Sequence, residues 1–235
     1  MDKIQTIEKL FYYIVTFSYL LLPITWLLYR DKSRPSPHIG IYGLVVFFLL
    51  KVVFDNLPIK YQLVYLDLYT LFEYLFFTYL LVINILSSKL RRIPYIGSII
   101  FVGFLVFQIL SQAFFDGKMQ RLDSMSVGIE TILLFVYIFL FFYDHSRNIR
   151  MGYIYNHYAF WVSVGILIYL GGSLFFNILA NVMTSHEFYS YWHYTYIAEI
   201  LKNVLFSFAM VMIFRQHKNK PVNSTHLPYL DMDMN

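Results

Sequence analysis

The chain has 235 residues, of which 59% are apolar, 21% aromatic and only 14% charged, with a formal net charge of +4. About a quarter of a soluble domain's residues are charged, so this composition excludes a water-soluble globule and points to an integral membrane protein. The absence of cysteine removes disulfides, thiolate catalysis and sulfur metal sites together.

Seven apolar stretches follow one another, at about 10–29, 38–54, 64–86, 95–114, 124–143, 158–182 and 193–214. Each is near the ~20 residues that a helix needs to cross ~30 Å of hydrocarbon. The predicted fold is therefore all-α, a seven-transmembrane-helix bundle over residues 1–215 and a flexible cytoplasmic tail over 216–235. The first stretch reads as a retained helix, because Arg30-Asp31-Lys32-Ser33-Arg34 stands where a cleaved signal would have small residues. The second is short and carries Lys51. Connections of about 6–16 residues leave no room for a soluble domain between spans.

Basic residues set the orientation. Lys3, Lys9, Lys60, Lys118 and Arg121 fall on the N-terminal side. Arg30, Lys32, Arg34, Lys89, Arg91, Arg92, Arg147, Arg150, Arg215, Lys218 and Lys220 fall on the other. The positive-inside rule then puts the N-terminus outside and the C-terminus in the cytoplasm. This basic rim suits anionic membrane lipids rather than nucleic acid. Trp26, Tyr29, Tyr143 and Trp192 mark the interfaces. The loop holding His186, Glu187 and His193 reads as interfacial hydrogen bonding rather than a metal site, since two His and one Glu do not close a ligand set.

Against this background six ionisable residues stand inside the spans: Lys51, Asp67, Glu73, Glu130, Glu199 and Lys202. Each would cost about 2.5–3.5 kcal/mol if it faced lipid near the bilayer centre, so they must turn inward. At ~1.5 Å per residue, Asp67 lies about one turn below the outer surface, with Glu73 and Lys202 near the middle. Glu130 and Glu199 fall in the outer third, and Lys51, Gln108, Gln112 and Asn177 also fall in the outer half. The inner halves are far more apolar. On the third span Tyr69, Thr70, Glu73 and Phe77 share a face, and on the seventh Glu199 and Lys202 are one turn apart. Four acids against two bases leave at least one carboxyl either neutral through desolvation or waiting for a cation.

The expected site is therefore an outer-half polar pocket of Glu73, Lys202, Glu199, Glu130, Asp67, Asn177, Tyr69 and Thr70, closed below by an apolar plug. A pore would carry polar lining through both leaflets. The bland alternative is a hydrogen-bonded network that only fixes helix packing, although fewer polar groups would suffice for that. Gly165, Gly171, Gly172 and Ser173 read as sites of close helix approach. No internal repeat marks a repeat-built transporter: Pro23 has no counterpart in the fifth span, and Gly171-Gly172-Ser173 has none in the second.

No His-Glu-x-x-His, Gly-x-Ser-x-Gly or phosphate-binding glycine loop occurs, and nothing marks a nucleophile, so no enzyme is expected. A lysine in the seventh span suggests a retinal Schiff base, but the tryptophans at 26, 161 and 192 do not form a chromophore box, and no cofactor is expected. The segments Phe160-Trp-Val-Ser-Val-Gly-Ile-Leu-Ile-Tyr-Leu-Gly-Gly-Ser173 and Glu199-Ile-Leu-Lys-Asn-Val-Leu-Phe206 resemble an uncharacterised bacterial family of seven-helix integral membrane proteins. They are also distantly similar to the seven-transmembrane input modules of sensor histidine kinases. The resemblance implies signal reception in a bacterial inner membrane, with output passed to a separate protein such as a sensor kinase. The expected function is thus a receptor-like sensory protein for a small molecule or lipid, with a proton- or cation-coupled solute transporter as the alternative.

Overall fold

Hydrocarbon offers the backbone no hydrogen-bond partner, so a spanning segment must satisfy its amides internally, and helices do this within one segment. The computed structural model describes residues 2–29, 62–115, 124–147, 154–180 and 195–218. They form α1 (Asp2–Tyr29), α2 (Gln62–Val82), α3 (Ser88–Phe115), α4 (Ser124–Arg147), α5 (Tyr158–Ala180) and α6 (Thr195–Lys218), with one 3₁₀ turn at Ile154–Asn156 and no strand among the described residues. Five stretches are long and apolar enough to cross a membrane: Lys9–Tyr29, Ser88–Gln108, Ser126–Arg147, Tyr158–Phe175 and Thr195–Arg215. Leu68–Val82 is a shorter apolar helix. These helices are compatible with a multi-pass membrane protein. The second predicted span with Lys51, the loop of His186, Glu187 and His193, and residues 219–235 of the tail lie outside the described residues.

Side-chain contacts give the helix directions. Asn203 bonds Ser18 and Tyr29 stacks on Phe214, so α1 and α6 run parallel. Tyr169 bonds Glu73 and Tyr158 bonds Asn84, so α2 and α5 run antiparallel. Gly165 lies against Phe206 and Gly172 against Ala198, which makes α5 antiparallel to α6. Phe142 packs on Phe160 and Phe135 lies near Gly171, which makes α4 antiparallel to α5. Accordingly α1, α2, α4 and α6 run one way and α5 the other. Helix α3 returns beside α2, with Phe101 and Ser98 on Tyr74.

Close approach of α5 and α6 depends on missing side chains. A Cβ on Gly172 would lie 2.8 Å from that of Ala198, and one on Gly165 would lie 3.0 Å from the Phe206 ring. Gly171 meets only the tip of Phe135, at an ordinary 3.8 Å. A third contact of this kind sits on α3, where the Tyr137 hydroxyl occupies the space a Cβ on Gly97 would need. That hydroxyl bonds Tyr74 at 3.0 Å, and Tyr74 bonds Ser98 at 3.1 Å, which ties α2, α3 and α4 through a buried tyrosine pair.

The turn between α2 and α3 is pinned by polar groups. Helix α2 stops at Val82, earlier than the apolar run to residue 86 predicts, and Asn84 explains the stop. Its side-chain amide donates to Leu80 O at 2.7 Å, capping a carbonyl of the last turn, while its Oδ1 accepts the Tyr158 hydroxyl at 2.7 Å. The Asp144 carboxylate, 3% exposed on α4, then accepts Leu86 N–H at 2.5 Å and Ser87 N–H at 3.1 Å just before α3 begins. A negative group is favoured there by the exposed amides and the helix dipole.

Two stability predictions follow from these contacts. Gly172→Leu should lower the melting temperature of the detergent-solubilised protein by several degrees, as overpacking costs about 1–3 kcal/mol. Gly103→Leu, with nothing within 4 Å of its Cβ, should leave the temperature nearly unchanged in the same assay. Asp144→Ala strands two amides and should cost about 1–3 kcal/mol in urea-induced unfolding, whereas Asp144→Asn keeps an acceptor and should lose less.

Candidate ligand site

The site grows from α2. The i,i+4 spacing of Tyr69 and Glu73 brings the Tyr69 hydroxyl onto Glu73 Oε1 at 3.3 Å. From α5 the Tyr169 hydroxyl donates to Glu73 Oε2, also at 3.3 Å. Lys202 of α6 lies with its Nζ 3.7 Å from the centroid of the same Tyr169 ring. One turn earlier, Glu199 Oε1 is 3.8 Å from that Nζ. Tyr169 therefore joins the carboxylate of α2 to the ammonium of α6, its hydroxyl turned to one and its π face to the other.

Glu130 completes the group from α4. Helices α2 and α4 run parallel, and Ser87 meets Asp144 near their far ends. The carboxyls of Glu73 and Glu130 interact electrostatically. The Tyr69 hydroxyl lies within electrostatic reach of Glu199 and of Tyr19 on α1, so five helices converge here.

All the charged members are sealed from solvent: Lys202 is 0% exposed, Glu130 2%, Glu73 5% and Glu199 8%. The next layer toward the α2–α3 turn is apolar. Phe77 stands edge-on to Tyr169 at 6.3 Å and to Phe206 at 6.1 Å, and Leu81, Leu134, Ile138, Phe141 and Met210 continue the buried layer. Its buried polar groups are the hydroxyls of Thr78, Ser163 and Ser207, and larger polar side chains return at the turn, with Asn84, Asp144 and His145.

Of the residues expected at the site, Glu73, Glu130, Glu199, Lys202 and Tyr69 are brought together. Thr70 is buried beside Tyr69 on α2. Asp67 lies on α2 and Asn177 on α5, but their side chains are outside the described residues. Sequence reasoning missed Tyr169, because one tyrosine among 22 carries no distinguishing signal. It also missed Asp144, which sits just past the predicted end of its span. Among the described residues no group of three or more His, Cys, Asp or Glu is placed to hold a metal.

Comparison with known proteins adds no relative: no family model matches the chain, and neither does any curated protein or solved structure. The site has to be interpreted from its own chemistry.

That chemistry makes a prediction about charge balance. Lys202→Met leaves the buried carboxyls of Glu73, Glu130 and Glu199 without this internal cation, and the loss should be about 3–5 kcal/mol. Adding Glu199→Gln should recover part of it. A double-mutant cycle by thermal unfolding in detergent checks the sign, since independent contributions would make the double variant the less stable one.

Proposed function

We propose that this chain is a receptor-like, seven-helix membrane protein that binds a small molecule or lipid at the polar site and signals through a separate protein such as a sensor kinase. One observation carries the proposal: buried charged and hydroxyl side chains from five helices converge beside an apolar layer. Interhelical hydrogen bonds contribute only ~0.6 kcal/mol on average, so helix packing alone does not call for several buried charges. Intramembrane ionisable groups are retained mainly where a ligand, ion or proton uses them.

Seven crossings are supported by the parallel run of α1 and α2. An outside N-terminus is supported by the positions of Lys89, Arg91, Arg92, Arg147 and Arg215, all at the end where α2, α4 and α6 finish. With that orientation the site lies in the outer half. The inner rim meets anionic lipid, and the location is the cell membrane, as in the bacterial proteins the chain resembles. Ligand binding shifts the packing of α2, α5 and α6, and the shift is carried to the cytoplasmic turns.

A cation- or proton-coupled carrier is the second reading, favoured by the surplus of buried carboxyls. The phenylalanine floor counts against it, because a transport path needs polar lining on both sides.

Sealed vesicles containing the purified protein separate the two. The receptor reading expects a small molecule that co-purifies, detected by mass spectrometry, and that fails to co-purify with Glu73→Gln, with no flux across the vesicle. Flux of that molecule abolished by Glu73→Gln would establish the carrier instead. If Glu73→Gln, Glu130→Gln and Lys202→Met all leave cellular function intact where deletion does not, the site is only structural.

A further inference from the structure

At the end of the bundle where α4 finishes and α5 begins, two imidazoles lie against each other and use their nitrogens in opposite ways. His145, 8% exposed in the last turn of α4, has its Nδ1 3.2 Å from Phe141 O. A carbonyl can only accept, so this nitrogen carries a proton. His157, directly before α5, has its Nδ1 3.3 Å from Ala159 N. An amide N–H can only donate, so this nitrogen offers a bare lone pair. The ring centroids are 5.5 Å apart, with Phe141 4.2 Å from His145 and Tyr158 stacked on His157 at 4.8 Å.

The Ala159 amide belongs to the first turn of α5, where a helix provides no acceptor of its own. Ala159 is buried, so an amide released there is not simply passed to water. A second proton on His157 would set one donor against another and put positive charge at the unfavourable end of the α5 dipole. His145 differs. Its second proton would go to Nε2, keep the bond to Phe141 O and fall at the end of α4, where the dipole favours a cation. The ionisable groups on the surrounding elements do not reverse this. Asp144, next to His145 on α4, accepts the Leu86 and Ser87 amides, and Arg91 Nε donates to Ile85 O at the α2–α3 turn. Lys89, Arg92, Arg147 and Arg215 are exposed, and all four oppose a further positive charge at this end.

We propose that His157 is a proton-sensitive latch on the start of α5: its neutral imidazole caps the helix at Ala159, and protonation withdraws the cap and loosens the first turn. Tyr158, next in the chain, donates to Asn84, so the loosening reaches the end of α2 as well. With the orientation given above, this end faces the cytoplasm and the proton comes from there. The latch does not depend on what the polar site binds.

The test compares the full-length wild type in lipid nanodiscs with His157→Asn, whose amide oxygen can cap at any pH, and His157→Ala, which offers no acceptor. At pH 8 the wild type and the asparagine variant should both melt a few degrees above the alanine variant. Between pH 8 and pH 5, across the ordinary imidazole range near ~6.5, the wild type should lose that advantage while the asparagine variant keeps it. The folded chain resists a proton that the unfolded chain accepts freely, so this stability is present above that range and lost as the pH falls through it. A wild-type advantage that is unchanged or larger at pH 5 overturns the latch, and so does an asparagine variant that loses its advantage in parallel. Should His157→Ala fail to fold, the wild type should lose stability relative to His157→Asn as the pH falls, and parallel curves overturn the latch. Nitrogen NMR of His157 should show Nδ1 unprotonated at pH 8; a proton found there overturns it too.

Discussion

Lys202 has no exposed surface, and an ammonium enclosed in a bundle needs negative or π-rich groups within a few ångström. Glu199 and the Tyr169 ring supply them, and each fixes something else in turn. Glu199 lies on the same helix, so the ion contact holds two side chains of the first third of α6 without help from a neighbour. Tyr169 lies on the antiparallel α5, so the contact also sets how the two helices are rotated against each other. Its hydroxyl then reaches Glu73 on α2. One buried cation thus specifies the relative placement of three helices.

That placement depends on backbone proximity. Gly172 and Gly165 let α5 come close enough to α6 for Tyr169 to lie beneath Lys202. In lipid there is no hydrophobic drive to press helices together, and association relies on packing and on polar contacts. The two glycines and the buried charges therefore act together: close approach makes the polar contacts short, and the polar contacts make close approach worthwhile. The Asn203–Ser18 bond at 2.8 Å extends the same arrangement to α1.

Much of this was legible in the sequence because charge in an apolar stretch is a high-contrast signal. Glu73, Glu130, Glu199 and Lys202 stand out against leucine and phenylalanine, and a fixed rise per residue is enough to set them at comparable depth. The glycine cluster on α5 was readable for the same reason, although it did not separate Gly172, which meets Ala198, from Gly171, which meets little. Tyr169 was not legible, since tyrosine is common throughout the chain and its role comes from rotation about the helix axis that hydropathy does not encode. The stop of α2 at Val82 was also hidden. Asn84 ends the helix through a bond to its own last turn and a bond to Tyr158, and the second of these exists only after α5 has packed.

The interhelical ties that use backbone atoms, among the described residues, gather at the end of the bundle where α2 turns into α3. Asp144 grips two amides there, and the Tyr137 hydroxyl reaches Pro94 O at 3.5 Å. Around the buried charges, by contrast, helices are joined through side chains, which can swing without unfolding anything. The turn is thus held by main-chain groups and the charged layer by side-chain contacts, so a substitution in the charged layer can alter helix rotation while the turn keeps its backbone bonds.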